Sequence, residues 1–529
     1  MSVASAKFLI FLAATIIVFY IVPSKHRWLV LLASSIAFYL IAGSWRFLPF
    51  IIFTSLVIWL ASRRIGKLYE ELETKLKAEG LDRKGKKALK DEYKKKAKTS
   101  LVLSLVLCIG ILCVTKFTKY VVAYLNLFMV SRGNEPRFGI EWLIVPLGIS
   151  YYTFSTVGYI LDVYWKRYKY ESNFLRFFLY AIFFPHIMQG PISRYNLLGQ
   201  SLKQELKYDS QRIVFGAQLM MWGFFKKLVI ADRLNKLVTT VFNGEVQAGS
   251  VFLVALFFDA LMIYTDFSGY TDIARGASQI FGVELEQNFN HPFFSKSVTE
   301  FWRRWHMSLG SWFKDYVFYP VTVSNWMKKL NKFNLKHLPS RVTKTISVAI
   351  PCLITWFLTG LWHGTGKTYV AWGIYYGVLI TISVGFQDEF ASLNKLLRIK
   401  TKSYSFRGFQ MFRTFCIFMG GRLLTSAGGL HNSLMVVKNI IGNFQPWKLV
   451  DESLYGYGID RKEMGLLIVC LIVLWAVSML QERVHIREII ARQNVVVRWA
   501  LMYLIIFVIL IFGVYGAGYD ASAFIYTQY

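Results

Sequence analysis

Long apolar runs separated by shorter polar segments dominate this chain. A helix needs about 20 mostly apolar residues to cross the hydrocarbon core of a bilayer. Fourteen stretches approach that length, at residues 8–23, 28–43, 46–62, 100–117, 119–131, 141–161, 174–190, 212–231, 250–265, 345–363, 368–386, 407–420, 464–480 and 497–517. Some are short or interrupted by glycine and proline, and we expect re-entrant or broken helices among these. The pattern predicts an all-α polytopic membrane protein with about 10–13 transmembrane helices.

Basic residues between the apolar runs predict how the protein is oriented in the membrane. Residues 63–98 hold 14 Lys/Arg against 7 Asp/Glu, with both signs mixed at helical spacing. We interpret 63–99 as a basic cytoplasmic helical loop, because Lys and Arg accumulate on the cytoplasmic side of a membrane. Lys25, His26 and Arg27 place the first loop on the same side. We therefore expect a multi-pass protein of the cell (inner or plasma) membrane, with its N-terminus outside and its first helix retained.

Composition supports a membrane location and narrows the partners. Of the 529 residues, 55% are hydrophobic and the formal net charge is +30. The positive-inside rule explains this charge, so we expect membrane lipids and no nucleic acid as partners. The five cysteines lie in apolar segments without metal-ligand spacing, so no metal or bound cofactor is expected. Without an internal repeat or a low-complexity linker, residues 1–529 are interpreted as one membrane domain.

A charged, aromatic segment near residue 300 contains the first candidate histidine. Its apolar residues recur at steps of three and four, as Trp302, Trp305, Leu309, Trp312 and Tyr316. This spacing predicts one amphipathic helix over Phe301–Tyr316 that lies in the membrane interface, with its tryptophans at headgroup depth. His306 lies at the edge of the stripe. The alternative is that His306 is a hydrogen-bonded structural residue.

The second candidate histidine lies near the end of an apolar run. Thr355, Thr359 and His363 recur every four residues and form one polar stripe on a predicted helix. A neutral imidazole can act as a general base at pH 7, which suits attack of a hydroxyl on an activated acyl group. With His306 on the inner side, the two histidines suggest a tunnel between the leaflets. The alternative for His363 is a packing residue bonded to a neighbouring span.

Other polar residues interrupt the apolar runs. Asp266 and Tyr270 are four residues apart and would share one helix face, and Arg194 follows a segment containing Pro185 and Pro191. The two prolines predict that the helix over 174–190 kinks or stops. Taken singly, these polar groups are best interpreted as internal pairs that fix kinked helices, because buried polar groups are normally paired.

Six motifs together resemble the membrane-bound O-acyltransferase (MBOAT) family, and within it the bacterial alginate O-acetyltransferase branch. In order they read P-L-G-I-S-Y-Y-T-F, F-P-H-I-M-Q-G-P-I-S-R, G-F-F-K-K-L-V-I-A-D, Y-T-D-F-S-G-Y-T-D-I-A, T-E-F-W-R-R-W-H-M-S-L-G-S-W-F-K-D-Y-V-F-Y-P and L-T-G-L-W-H-G. The resemblance implies a ring or cup of helices with a central funnel or tunnel. It also implies a core over 146–386, followed by C-terminal helices and an aromatic tail over 464–529.

The resemblance further implies roles for individual residues. His363 matches the invariant histidine of the family, and His306 matches the second. Donor-side or structural support is expected from Trp302, Arg303, Arg304, Trp305, Asp315, Thr359, Asp266 and Arg194, with Arg303 and Arg304 near the donor phosphates. The final F-I-Y-T-Q-Y is similar to an aromatic hexapeptide of relatives, so Tyr526 is a candidate acyl relay. The alternative is a docking tail at the membrane interface.

The implied reaction moves acetyl from a cytoplasmic thioester, acetyl-CoA, across the membrane for O-acetylation of an exported cell-surface polysaccharide such as alginate. An extracytoplasmic transferase of the SGNH or AlgX-like type is the expected partner and would pass the group to the polysaccharide acceptor. One alternative is D-alanyl transfer to teichoic acid, as in the related D-alanylation proteins. A transporter or flippase is the alternative from another class, and it should show repeated halves.

Overall fold

The computed structural model describes residues 3–78, 80, 82–139, 145–187, 190–244, 246, 248–364 and 366–516. Regular structure in these residues is helical, apart from an isolated antiparallel bridge between Phe289 and Trp305. The α-helices are α1 Ala6–Ile21, α2 Arg27–Ala42, α3 Leu48–Ala78, α4 Arg83–Ser131, α5 Ile149–Tyr164, α6 Phe174–Ile182, α7 Phe184–Ile187, α8 Ser210–Phe224, α9 Asp232–Asn243, α10 Gly249–Ile280, α11 Val298–Arg304, α12 Met307–Phe313, α13 Tyr319–Thr322, α14 Asn325–His337, α15 Ser340–His363, α16 Lys367–Gly385, α17 Gln387–Leu396, α18 Tyr404–Ser426, α19 Leu430–Gly442, α20 Arg461–Gln481, α21 Ile486–Ala491 and α22 Val495–Phe512. Three π-helical segments, Tyr195–Gly199, Phe225–Ala231 and Lys314–Phe318, connect some of them.

Eight helical stretches in the described part of the chain are long and apolar enough to cross a membrane. They are Trp45–Ala78, Arg83–Ser131, Ser210–Asn243, Gly249–Ile280, Ser340–His363, Lys367–Gly385, Arg461–Gln481 and Val495–Phe512, and Ala6–Ile21 is a shorter apolar helix. These helices confirm the predicted all-α, multi-pass membrane fold. The number of 10–13 crossings and the orientation of the N-terminus stay predictions.

Two of the predicted spans, 100–117 and 119–131, are one helix, so their separation was wrong. Helix α4 runs without a break from Arg83 to Ser131. Lys116 and Lys119 lower the local hydropathy, but neither residue interrupts the backbone hydrogen bonds as a proline would. The same helix includes much of the basic segment, and α3 supplies the rest as far as Ala78. The described residues of 63–99 are therefore helical as far as Ala78 and again from Arg83, whereas the cytoplasmic location of this segment stays a prediction.

Contacts divide the chain into two compact units, and the first contains residues 1–216 and 274–286. Its core is rich in aromatic rings, as where Phe8 and Phe184 pack with centroids 6.4 Å apart. The carboxylate of Glu171 is buried there, where it accepts a hydrogen bond from the hydroxyl of Tyr195 at 2.7 Å and pairs with Lys203 at 2.6 Å. As predicted, the helix that begins at residue 174 stops before Pro185, since α6 ends at Ile182.

The second unit contains residues 217–273 and 287–529. Within it, helices α15 and α16 pack so closely that glycine is required at the contact. A Cβ added to Gly360 would lie 2.4 Å from the carbonyl oxygen of Tyr369, and one added to Gly373 would lie 2.4 Å from that of Trp356. Atoms cannot approach that closely, so these two glycines set the distance between the helix that carries His363 and its neighbour.

Buried ion pairs fix the π-helical segment Phe225–Ala231 of this unit. The ammonium of Lys227 lies 2.7 Å from Asp266 and 2.6 Å from Asp232, and that of Lys226 lies 2.6 Å from Asp272. Asp266 is thus paired across helices rather than along its own. For Asp266 the pairing agrees with a structural role, because burying a charge costs much less free energy when the charge is paired.

Candidate functional site

The segment around His306 is not the single amphipathic helix predicted over Phe301–Tyr316. Helix α11 ends at Arg304, and α12 begins at Met307. Between them the backbone bonds to a neighbouring strand-like segment: Asn290 N–H donates to the carbonyl of Arg304 at 2.9 Å, and Met307 N–H donates to that of Asn288 at 3.0 Å. His306 adopts a left-handed conformation with φ +44°. Non-glycine residues seldom adopt this conformation, and it is found preferentially at functional sites.

Two tryptophans of this segment, Trp305 and Trp312, are buried and Trp302 is half-buried, so the stripe does not form an exposed interfacial face, whereas its depth in the membrane stays a prediction. Trp305 is 4% and Trp312 8% exposed. The ring of Trp302 packs 4.8 Å from that of Trp356 on α15 and 4.7 Å from that of Tyr376 on α16. The apolar stripe was recognised correctly, but it packs against protein because other helices of this unit supply aromatic partners.

A cavity of about 510 Å³ lies within the second unit and is lined by both candidate histidines. Its walls come from five parts of the chain: α10, the segment around His306, α15, α16 and α18. The lining includes Trp302, Trp305, His306, Thr355, Thr359 and His363. His306 is 3% and His363 8% exposed. The structure therefore brings together two histidines that are 57 positions apart in the sequence.

Asn288 determines the orientation of the His306 ring. The side-chain oxygen of Asn288 accepts hydrogen bonds from the N–H of Ser308 at 3.2 Å and from its hydroxyl at 2.6 Å. The same oxygen lies 3.4 Å from Nδ1 of His306. Since this oxygen acts as an acceptor, Nδ1 carries the proton and Nε2 carries the lone pair. His306 lies between the candidate membrane spans, and burial lowers its pKa to about 3, so the ring is neutral at pH 7.

His363 is the last residue of α15, and an aromatic ring lies beside both histidines. The ring of Trp362 is 4.8 Å from that of His363 and 5.8 Å from that of His306. Trp372 of α16 packs against His363 at 5.0 Å. The hydroxyl of Thr359 donates to the carbonyl of Thr355 at 2.8 Å, so the predicted polar stripe lines the cavity while its threonine hydroxyls bond to their own helix.

The two neighbouring arginines have different environments. Arg303 is exposed and lines the cavity. Arg304 is instead paired with two carboxylates, Glu300 at 3.1 Å and Glu482 in close contact. The two arginines are adjacent in the sequence motif, but only Arg303 lines the cavity, whereas Arg304 is engaged in ion pairs.

The other predicted support residues lie outside the cavity lining. Asp315 is half-buried in the π-helical segment Lys314–Phe318, and Asp266 is engaged by Lys227. Arg194 belongs to the first unit, where its backbone N–H donates to the carboxylate of Glu286 at 3.2 Å. Tyr526 lies outside the described residues, so its proposed relay role stays a prediction.

Three features of the cavity and its immediate surroundings were missed by the sequence analysis. Asn288 is one. The second is Arg422, which lines the cavity and is held by Asp259 through two hydrogen bonds of 2.8 and 2.9 Å. Charged residues at 259 and 422 interrupt apolar runs, and that signal could have identified both. The third is the indole N–H of Trp302, which is buried and has no acceptor among the described residues.

Comparison with known proteins agrees with the membrane fold. Residues 166–427, which include both histidines, match the family model MBOAT, membrane-bound O-acyltransferase family. The chain belongs to this family. It is 32% identical over 338 residues to a probable alginate O-acetylase AlgI of Pseudomonas syringae, which covers 64% of this chain and 59% of the relative.

Two relatives with other printed activities also match. A peptidoglycan O-acetyltransferase of Helicobacter pylori is 27% identical over 314 residues, covering 53% of this chain and 54% of the relative. A teichoic acid D-alanyltransferase of Bacillus subtilis is 32% identical over 253 residues, covering 47% of this chain and 61% of the relative. The chain thus spans between 54% and 61% of the length of these three relatives.

Proposed function

We propose that this protein is a membrane-bound O-acyltransferase that takes acetyl from a cytoplasmic thioester, acetyl-CoA, for O-acetylation of an exported cell-surface polysaccharide such as alginate. The observation that carries the proposal is the cavity of about 510 Å³ that contains both His306 and His363. Its volume is within the range of roughly 300–1,000 Å³ that small-molecule sites occupy. Membership in the family supports the reaction type, and the alginate O-acetylase relatives support acetyl as the group.

The proposed chemistry uses one histidine as a base and the cavity wall as a source of hydrogen bonds. The imidazole of His363 removes the proton from the acceptor hydroxyl as its oxygen attacks the thioester carbon. The indole N–H of Trp302 donates to the carbonyl oxygen as negative charge develops on it. The carbon–sulfur bond then breaks, and the departing thiolate takes the proton from the imidazolium. One ester and one thiol are formed.

His306 has a supporting role in this proposal. The bond geometry at Asn288 leaves the lone pair on Nε2, so that nitrogen can accept a hydrogen bond from the donor thioester arm or from the acceptor. The ring stays neutral because it is buried. We place His306 at the donor side of the cavity and His363 at the reacting carbon.

The acceptor and the partner follow from the family resemblance rather than from the cavity. An extracytoplasmic transferase of the SGNH or AlgX-like type would receive the acetyl group and deliver it to the polysaccharide. Tyr526 is proposed as the residue that carries the group between the two proteins, since a phenol can accept an acyl group when a base is near.

The test is incorporation of labelled acetyl into exported polysaccharide by cells that produce the full chain. His363→Ala should abolish incorporation, because the cavity then has no base beside the reacting hydroxyl. His431→Ala is the matched control, since His431 is exposed on α19 and does not line the cavity. Wild-type incorporation by a His363→Ala protein present in the membrane at normal level would remove His363 from the mechanism.

D-alanyl transfer is the second candidate function, because the Bacillus subtilis teichoic acid D-alanyltransferase is 32% identical over 253 residues. Both reactions need a thioester donor and a hydroxyl acceptor, so the cavity chemistry would be the same. Parallel labelling with acetate and with D-alanine distinguishes them: acetyl label alone supports the first candidate, and D-alanyl label alone supports the second.

A further inference from the structure

We infer that Arg303 and Lys314 form a binding site for the phosphate of a 4′-phosphopantetheine arm at the edge of the cavity. We refer to these two side chains as the anion clamp. This inference rests on the proposed function and specifies the chemical class of its donor. Phosphopantetheine is shared by acyl-CoA and by acyl carrier proteins, so either source would present the same group.

The anion clamp consists of two exposed cations that line one cavity. Arg303 is at the end of α11 and Lys314 begins the π-helical segment Lys314–Phe318, yet both are part of the lining. Among the described residues, neither side chain forms an ion pair or a hydrogen bond. Their charge is therefore not compensated by the surrounding protein.

Other cations near the cavity are paired with carboxylates, unlike the two side chains of the anion clamp. Arg304 is held by Glu300 and Glu482, and Arg422 is held by Asp259. Of the residues that line the cavity, all of them in the described part of the chain, none is Asp or Glu. The cavity therefore has a positive edge with no carboxylate to neutralise it, and an anionic group of a ligand would be attracted there.

The chemistry of the two side chains matches a phosphate. The planar guanidinium of Arg303 can donate two parallel hydrogen bonds to phosphate oxygens, and the ammonium of Lys314 supplies a compact point charge. The remainder of the lining suits the neutral pantetheine arm, because it is largely aromatic and aliphatic and its other fixed charge, Arg422, is paired with Asp259. A donor held by its phosphate at the edge could thus extend its thioester toward His306 and His363.

Binding measurements on the full chain in lipid nanodiscs test the anion clamp without requiring turnover. The probes are phosphopantetheine and pantetheine, which differ only by the phosphate. Arg303→Gln and Lys314→Gln should each raise the Kd for phosphopantetheine about tenfold, the scale of one charge-assisted hydrogen bond. Neither substitution should change the Kd for pantetheine.

Two control variants test whether the effect on phosphate binding is specific to the anion clamp. Lys329→Gln removes an exposed cation of α14 outside the lining and should change neither Kd. Arg304→Gln should leave the phosphate preference intact, because Arg304 is already paired. The inference is overturned if wild-type protein binds both probes equally, or if Arg304→Gln removes the preference while Arg303→Gln and Lys314→Gln do not.

Competition then identifies the source of the arm. CoA and a phosphopantetheinylated carrier protein are each used to displace bound phosphopantetheine, and the stronger competitor is assigned as the donor. Acetyl transfer is measured separately in the same membranes. A phosphate preference without acetyl transfer would contradict the proposed reaction but keep the anion clamp, whereas acetyl transfer without that preference would contradict the clamp alone.

Discussion

Replacing Gly373 by alanine tests whether the contact between α15 and α16 sets the geometry of the cavity. The added Cβ would lie 2.4 Å from the carbonyl oxygen of Trp356, whereas ordinary contacts begin at 3.4 Å. The obstacle is backbone, so no side-chain rotation can relieve it. The two helices must therefore move apart by about 1 Å, and overpacking of this kind costs roughly 1–3 kcal/mol of stability.

The same movement would displace the groups proposed to carry out the reaction. Trp372, next to Gly373, packs on the ring of His363 at 5.0 Å, so a shift of α16 alters one side of the proposed base. Misplacement of reacting groups by about 1 Å can reduce a rate on the order of 100-fold. We expect Gly373→Ala to lower both the melting temperature and the acyl-transfer rate, with the rate affected more strongly.

The assay combines thermal unfolding of purified protein in detergent with labelled acetyl transfer in membranes. Gly465→Ala is the matched control, because a Cβ at this position of α20 has no atom within 4 Å. It should keep the wild-type rate and match or slightly exceed the wild-type melting temperature, since alanine favours a helix over glycine by roughly 0.5–1 kcal/mol. Wild-type stability and rate in Gly373→Ala would refute the reasoning.

Three further changes test other parts of the second unit. Asn288→Ala removes the acceptor that orients His306, so acetyl transfer should fall about tenfold, as expected for loss of one hydrogen bond to a ring of the proposed site; a wild-type rate would contradict this orienting role. Lys227→Met removes the buried ammonium that pairs with Asp232 and Asp266 and should destabilise the protein by roughly 3–5 kcal/mol in denaturant unfolding, whereas Lys329→Met on exposed α14 should not. The folded pKa of His306 is about 3, below the ordinary 6.5, so the unfolded chain binds the extra proton and stability should fall as pH decreases below 6.5. The loss attributable to this ring is about 2 kcal/mol at pH 5, and His306→Gln should show a correspondingly smaller change in melting temperature between pH 7.5 and 5.

Hydropathy predicted the long helices well because each segment that crosses a membrane must meet the requirements for crossing with its own residues. Each span must satisfy its own backbone hydrogen bonds and expose apolar side chains to lipid, so its residues identify it without knowledge of its neighbours. The error at residues 100–131 has the same origin. Lys116 and Lys119 lowered the local hydropathy, but helix continuity depends on backbone hydrogen bonds, which lysine leaves intact.

The break at His306 could not be predicted from periodicity. The three- and four-residue spacing of Trp302, Trp305 and Trp312 is typical of one helix, and helical residues do occur on both sides of the break. The backbone leaves the helix between them because Asn288 and Asn290, more than a dozen positions earlier, bond to it. A hydrogen-bonding partner distant in sequence can override a local preference for helix. The periodicity of apolar residues carries no information about such a partner.

The sequence by itself determined that this is a multi-pass helical membrane protein of the O-acyltransferase family, and it identified His306 and His363 as the chemical candidates. Only the tertiary structure decided that both histidines line one cavity, that Asn288 orients one of them, and that Arg303 rather than Arg304 is available to a ligand. The physical reason is that composition and residue spacing carry information only about residues close together in the sequence. The partner of a buried or charged side chain is determined by packing between helices distant in sequence.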